Sequence, residues 1–487
     1  MGQPVQVQFL SPAFTSHWTD DVHLMSAPVT RRTFAVDGWS PSSWRTRSTL
    51  QQPEWIDPGA LRASCADLAR LPPLVTSFEI EALRTQLAEA ASGQRFILQG
   101  GDCAETFDGC EPGSIAARLK ILLQMSLVLV QGGRRRVTRI GRFAGQYAKP
   151  RSSDMETRDG VTLPAYRGDL VNGPAFTAAE RAPDPRRLVR GHERAALTLN
   201  FIRSLVDGGF ADLHHPEYWD LEFVKHSPLA AEYQAMVDQI GDGLRFMETL
   251  VGVSVAQVHR VDFFTSHEGL VLDYEEAQTR QVPHRAGWWD LSTHFPWIGV
   301  RTADPEGGHV EFFRGIENPV GVKVGPSTDA NALLRIIARL DPYQTPGRIV
   351  LITRFGAHAI AAHLPKLVEA VKASGRPVVW ICDPMHGNTE TVIPQSGLGK
   401  GVPVKTRKFG HILAEVEQAF EIHRAAGTWL GGIHVELTGE NVTECTGGAR
   451  GLSDEMLAQA YHSAVDPRLN YEQALELAML IARRMRK

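Results

Sequence analysis

Two periodicities alternate along this chain. From about residue 95, short β-branched or apolar runs end in polar residues, and stretches with a helical stripe follow them. The runs lie at 95–103, 137–145, 254–264, 293–301, 318–325, 348–356, 377–387 and 431–439. Helical patterning is clear between several of them, as at 330–340 and 361–374. Strands alternating with helices predict a parallel sheet. Eight such units predict an α/β fold closed as a (β/α)8 TIM barrel. The competing arrangement, an open doubly wound sheet, is weakened because no Gly-x-Gly-x-x-Gly turn opens a helix.

The barrel and its helices are expected over 91–487. Residues 192–250 carry helical patterning too long for one crossover, and are expected to add helices around the barrel. These serve oligomer contacts, a regulatory site or plain padding. Residues 37–90 are expected to form an N-terminal helical segment packing on the barrel. Residues 1–36 lack sustained periodicity, hold many turn formers, and read as a loosely ordered extension. No internal repeat is visible.

Composition narrows the function. The 487 residues are 43% hydrophobic and 22% charged, enough to bury a core without staples. A net charge of −4 gives no global basic field, so no nucleic-acid partner is expected. Cys65, Cys103, Cys110, Cys382 and Cys445 are few, odd in number and without zinc-finger spacing, which points to a reducing cytoplasm. No run approaches the roughly 18 apolar residues of a membrane span. The first residues lack the charged and apolar regions of a secretory signal, and Gln6 breaks the myristoylation pattern.

Barrel enzymes place their chemistry at the C-terminal ends of the strands. Here those ends read Asp102-Cys103, Arg142, His267-Glu268, Arg301, Lys323, Arg354, Asp383 with His386, and Glu436. A purely structural barrel would scatter its charges instead. Arg142, Lys149, Arg151, Arg301, Lys323 and Arg354 would converge at one mouth. Like charges repel, so a fold tolerates this when anions arrive to neutralise them. Arg forks suit phosphate and carboxylate oxygens, and so many imply more than one anionic group. Any one Arg alone would more often be a surface ion pair.

Cys103, His386, Glu436 and Asp466 form a mixed donor set of the kind that holds Mn²⁺, Fe²⁺, Co²⁺ or Zn²⁺. A lone Cys is usually apolar filler, a lone His usually a hydrogen-bonded core or surface residue, and the spacing of the four is a weak signal. Strand alternation puts His434 on the same face as Glu436, so His434 is a rival ligand.

Several segments are recognisable together: FILQGGDCAETF (96–107), AGQYAKPRS (144–152), YRGD (166–169), SHEGLVLDYE (266–275), NPVGVKVGP (318–326), CDPMHGNT (382–389), KTR (405–407), GGIHVELTGENVTEC (431–445) and DPRLN (466–470). They resemble the type II 3-deoxy-D-arabino-heptulosonate 7-phosphate (DAHP) synthase family. WSPSSWR (39–45) and LQQPEW (50–55) are similar to that family's N-terminal segment, so the resemblance covers 39–487. It implies condensation of phosphoenolpyruvate with erythrose 4-phosphate to DAHP and phosphate, the first step of the shikimate pathway. It implies one divalent metal, Mn²⁺ first with Co²⁺, Fe²⁺ or Zn²⁺ as alternatives, on Cys103, His386, Glu436 and Asp466, which settles Glu436 over His434. It implies no organic cofactor.

The same resemblance places phosphoenolpyruvate on Arg142, Arg301, Lys323 and Arg354. It places erythrose 4-phosphate on Lys149, Arg151, Ser152 and Asp383. A carboxylate and two phosphates sharing one pocket account for the cations. The metal would act as a Lewis acid on the aldehyde oxygen. Glu268 is the candidate to stabilise positive charge at C2 and guide water there, and Lys149 the candidate to deliver a proton to the oxyanion. A homo-oligomer, dimer or tetramer, in the cytoplasm is implied as well.

Three departures stand out. The family reads WIGERTRQ where this chain reads WIGVRTAD (297–304), with Val300, Ala303 and Asp304 in place of Glu, Arg and Gln. Val465 stands where many relatives have Cys, so no disulfide from Cys103 to that position is possible. The GLGKGVP loop (397–403) is longer than usual, as a mobile loop near the site or as a bare insertion. The first departure motivates an alternative: a family member of a secondary-metabolite pathway with altered aldose-phosphate specificity, such as an amino analogue. A non-catalytic regulatory homologue is the third reading.

Overall fold

Eight parallel strands close on themselves in the computed structural model, which describes residues 33–35, 38–207, 225, 230–251 and 262–486. They are β1 (Arg95–Gly101), β2 (Arg136–Arg142), β3 (Phe263–Glu268), β4 (Phe295–Ile298), β5 (Val320–Val324), β6 (Ile349–Thr353), β7 (Val379–Cys382) and β8 (Leu430–Glu436). Each pairs in parallel with its neighbours in sequence, and β8 returns to β1, with Gly101 opposite Glu436. The closed ring excludes the open doubly wound sheet. Apart from 33–35, the extension expected over 1–36 lies outside the described residues.

Five of the expected runs contain their strand, and those at 137–145 and 431–439 miss only its first residue, Arg136 and Leu430. The run at 254–264 overlaps β3 only at Phe263 and Phe264, and most of it lies outside the described residues. The strand continues through Thr265, Ser266, His267 and Glu268. Its inward side chains are polar because they approach the mouth, which hides them from a search for apolar runs.

Alternation sends every second strand residue inward. At the N-terminal end of the barrel that set is apolar: Ile97, Ile140, Phe264, Phe295, Val350, Val379 and Ile381 form one buried cluster. Leu83, Leu87 and Ala90 belong to the same cluster. They come from a helix that precedes the barrel, α2 (Ser77–Ala91), which follows α1 (Pro58–Arg70). Thr76 and Glu79 form a capping box that starts α2. The helix therefore stoppers the barrel floor, and Gln86 also accepts a 2.8 Å hydrogen bond from inward-facing Thr138. One layer higher Gln99 donates to Ser266 at 2.9 Å. Charged side chains follow at the mouth.

The chain ahead of α1 is tied to the outside of the barrel by indole and amide bonds. Trp39 donates to the Glu311 carbonyl at 2.9 Å, Trp44 to Glu276 at 2.8 Å and Trp55 to Asp273 at 2.9 Å. Gln52 brackets the β3 exit loop, donating to the Leu270 carbonyl and accepting from the Leu272 amide. After β1 runs α3 (Pro112–Gly133), followed by α4 (Arg186–Asp207) and α5 (Ala230–Val251) in the long β2–β3 connection. The two lie where extra helices are expected. By length and composition α3 could cross a membrane, yet 61% of its most apolar window is buried inside the protein. It is a core helix, packed on α4, α5 and the C-terminal helix. Gly132 admits that last contact, since a Cβ there would stand 2.5 Å from the Ala482 methyl. The barrel is completed by α6 (Ala330–Leu340), α7 (Ile360–Ala373), α8 (Phe409–Ala425) and α9 (Tyr471–Met485). All five cysteines are free.

The stopper generates a stability prediction. Leu87→Ala is expected to cost about 2–5 kcal/mol, the range for truncating a fully buried leucine, read as a lowered urea midpoint. A loss below about 1 kcal/mol, the scale of a surface substitution, would show that α2 is not part of the barrel core.

Candidate active site

Side chains from the strand ends and the following loops line a cavity of about 360 Å³ at the barrel mouth. Cys103, Arg142, Lys149, Arg151, Ser152, Glu268, Arg301, Lys323, Arg354, His386 and Asp466 all line it. Val300 and Val465 are apolar points in the same wall. Of the residues expected from sequence, Asp383 and Glu436 lie beneath this lining, fully buried.

Cys103, Glu436 and Asp466 each offer one ligand atom within 4.8 Å of the others. His386 stands beside them, with Nε2 3.0 Å from Glu436 Oε1. Its Nδ1 faces Asp383 Oδ2 at 2.7 Å. If Nδ1 carries the proton and donates it there, Nε2 is left as the free lone pair. This is the carboxylate–imidazole arrangement that orients metal-binding histidines. The Lys149 ammonium sits among these donors, 2.5 Å from Asp466 Oδ2 and in contact with Cys103 Sγ. Burial pushes the Cys103 thiol up to about 12, with Glu436 and Asp466 adding to the shift and Lys149 opposing it. Burial opposes the charge on Lys149 as well, but Cys103, Glu436 and Asp466 outweigh it and raise its pKa.

Glu436 is the anchor of the group. Its Oε1 accepts from Arg142 at 3.0 Å and its Oε2 from Arg407 at 2.7 Å. Burial would favour the neutral acid, yet His386, Lys149, Arg407 and Arg142 hold Glu436 well below the usual carboxylate range. His434 shares the inward face but turns its Nε2 to Arg142, at 2.5 Å. Burial, with Lys323 and Arg142, depresses its pKa well below normal, so a neutral ring accepts that bond. His434 therefore supports a cation and stays apart from the three-donor group.

The cations converge from separate elements. Arg142 ends β2 and Lys323 lies in β5, both against the Trp297 ring of β4. Arg354 follows β6 and donates to the His386 carbonyl at 3.2 Å. Arg301 is exposed at the rim and donates to Ser152 Oγ at 2.9 Å. The Arg151 backbone is clamped by Gln51, which accepts from its amide and donates to its carbonyl. Asp383, expected at the aldose phosphate, pairs with Lys323 and His386 below the cavity floor. Burial lowers the Lys323 pKa to about 8, Arg142 and Arg354 adding to the effect and Asp383 opposing it.

Glu268 closes the other side. Burial raises its pKa, against Lys323, Lys149, His386 and Arg142. Its Oε1 has no hydrogen-bond partner among the described residues. Gly299 lies opposite it, and a Cβ there would displace that oxygen.

A chain of buried charges of alternating sign supports these loops. Arg118 bonds Asp102 at 2.5 Å and Glu105 at 3.4 Å, and Arg468 bonds Asp102 at 2.7 Å and Glu444 at 2.8 Å. It ties the Cys103 segment to the loop bearing Asp466. Neither this chain nor Arg407 is expected from the sequence. Arg407 lies on a hairpin, Thr389–Val392 with Val404–Arg407, rather than at a strand end. The 397–403 loop connects that hairpin's strands. Spacing carries no signal for either feature, although 405–407 stands out as a segment.

The profile of the class-II DAHP synthetase family matches residues 39–482. A protein of Neurospora crassa named phospho-2-dehydro-3-deoxyheptonate aldolase is 47% identical over 461 residues, 91% of this chain and 94% of its own. One of Streptomyces coelicolor with the same name is 49% identical over 446 residues, 91% of this chain and 97% of its own. With nearly its whole length matched in order, this chain is an enzyme belonging to the class-II DAHP synthetase family.

Proposed function

We propose that this cavity condenses phosphoenolpyruvate with erythrose 4-phosphate, releasing phosphate and forming DAHP. The observation that carries the reading is the meeting in one cavity of Arg142, Lys323, Arg354 and Arg301 with the Cys103–Glu436–Asp466 group. A thiol, an imidazole and two carboxylates form the donor chemistry of a borderline divalent ion. That Lys149 already places a positive charge among them supports the fit. Cys103, His386, Glu436 and Asp466 would hold the ion, and as a Lewis acid it would polarise the aldehyde oxygen.

The protein's own groups do the rest. Arg142, Lys323 and Arg354 would bind the carboxylate and phosphate of phosphoenolpyruvate at the inner end. Arg301 would complete the phosphoenolpyruvate site from the rim, beside Arg151 and Ser152, which would hold the aldose phosphate. This orders the substrates so that C3 of the enol faces the aldehyde. Lys149 would donate a proton as the aldehyde oxygen gains charge. Glu268, unpaired at Oε1, would stabilise positive character at C2 and take a proton from the attacking water. Asp383 would position Lys323 and His386 rather than touch sugar.

A second reading has one observation behind it. Val300 puts an apolar side chain in the cavity wall next to Arg301, which suits an altered aldose phosphate in a secondary-metabolite pathway. Phosphate release separates the two. Turnover with erythrose 4-phosphate is expected on addition of Mn²⁺ or Co²⁺ to metal-stripped protein. No turnover with it, but turnover with an amino analogue, would replace the first reading by the second.

Two further outcomes are expected. Cys103→Ser should lower metal-dependent turnover about 100-fold or more and weaken the thermal stabilisation that Co²⁺ confers. Unchanged stabilisation would remove Cys103 from the ligand set. Lys323 is charged below its pKa of about 8 and loses its charge as pH rises through it. The kcat/KM for phosphoenolpyruvate, which reports the free enzyme, should therefore fall above pH 8, and Lys323→Arg should move that limb upward. A profile flat into alkali would exclude Lys323 from binding the anion.

A further inference from the structure

We infer that Glu105 is a positioning residue for the reaction: its buried carboxylate sets the conformation of the 144–149 loop, and through it the placement of Lys149 and Glu268. The inference rests on the proposed condensation and its roles for those two residues. Glu105 touches neither substrate nor cavity.

The geometry begins with three successive amides. Glu105 Oε1 accepts from Ala144 N–H at 3.0 Å, and Oε2 accepts from Gly145 and Gln146 N–H, both at 2.9 Å. The Glu105 amide donates back to the Gln146 carbonyl at 2.8 Å. Successive amides turned to one point form an anion-binding concavity, and here the protein supplies the anion itself. Arg118 at 3.4 Å balances its charge.

The loop does not hold this shape by backbone preference. Ala144 has φ +63°, the left-handed region that residues with a Cβ seldom adopt. Gly145 has φ +151°, and a Cβ there would lie 2.5 Å from His267 Nδ1. With these two residues fixed, Gln146 is held in place to reach both sides of the loop. Its Oε1 accepts the Glu268 amide at 2.9 Å and its Nε2 donates to the Ala148 carbonyl at 2.9 Å. Lys149 then directs its ammonium to Asp466 and Cys103. One carboxylate thus registers both groups assigned to proton handling, while Arg142, Lys323 and Arg354 are carried by other elements.

Glu105→Gln tests this at constant size. The amide keeps one acceptor oxygen and turns an NH₂ toward donors it cannot satisfy. Expected are a kcat lowered about 10- to 100-fold, a KM for phosphoenolpyruvate within about threefold, and a melting temperature within about 4 °C of wild type. Hydrogen exchange should quicken at residues 144–146 and remain unchanged in β5 to β7. The double variant Glu105→Gln with Ala144→Gly, which tolerates the left-handed conformation without the anion, should recover at least a third of the lost kcat. It also serves if the single variant does not fold. A kcat within threefold of wild type, unchanged exchange at 144–146, or a double variant with no recovery overturns the inference. A wild-type enzyme that releases no phosphate from these substrates instead overturns the proposed function, and the exchange measurement still decides whether Glu105 orders the loop.

Discussion

Neutralising charge in a buried cavity is the constraint on which the rest of this structure depends. Cations held at the barrel mouth repel one another more strongly as water is excluded. Arg142 and Lys323 therefore each have an anionic neighbour below the floor. Glu436 serves Arg142 and Arg407 on its two oxygens. Asp383 serves Lys323 and also faces His386 Nδ1. Asp102 serves Arg118 and Arg468. Glu436 and Asp383 lie beneath the lining while Arg142, Lys323 and Arg354 belong to it, so cations crowd the inner wall of the cavity.

The barrel makes that layering possible. Its strands run parallel, so every C-terminal end arrives at one face, and alternation selects which residues point inward. Along β8 the inward residues pass from Gly432 through His434 to Glu436, and along β2 from Thr138 through Ile140 to Arg142. Apolar packing is concentrated at the floor under α2, and polarity rises toward the mouth. Stability and chemistry therefore occupy opposite ends of the same strands.

Much of this is legible in the sequence. Strand periodicity identifies the barrel, because its period is local and each strand is preceded or followed by a helix. Strand ends locate the cations, because a parallel barrel brings them to one face. Other features are not legible, for reasons of distance and of type. Glu105 and residues 144–146 meet through backbone amides, which no side-chain pattern records. Arg407 reaches Glu436 from a hairpin off the barrel. Asp383 is expected at the aldose phosphate by family resemblance, and its burial against His386 and Lys323 is not visible in the sequence. β3 lies later in the chain than its apolar run suggests, because its residues near the mouth are polar. The expectation of Glu436 rather than His434 as a ligand comes from family resemblance, since alternation treats the two alike, while the Arg142–His434 bond supplies a physical distinction.

The helix that stoppers the barrel has a consequence for synthesis. Translation produces α2 before any barrel strand, so Leu83, Leu87 and Ala90 leave the ribosome with no floor to cover. Their partners Ile97 and Ile140 emerge soon after, but Val350, Val379 and Ile381 are made far later, and β1 waits for β8 to close the ring. Contacts of such long range form slowly. During elongation the apolar face of α2 is a surface on which a nascent-chain chaperone would act, until β8 is made and the ring can close.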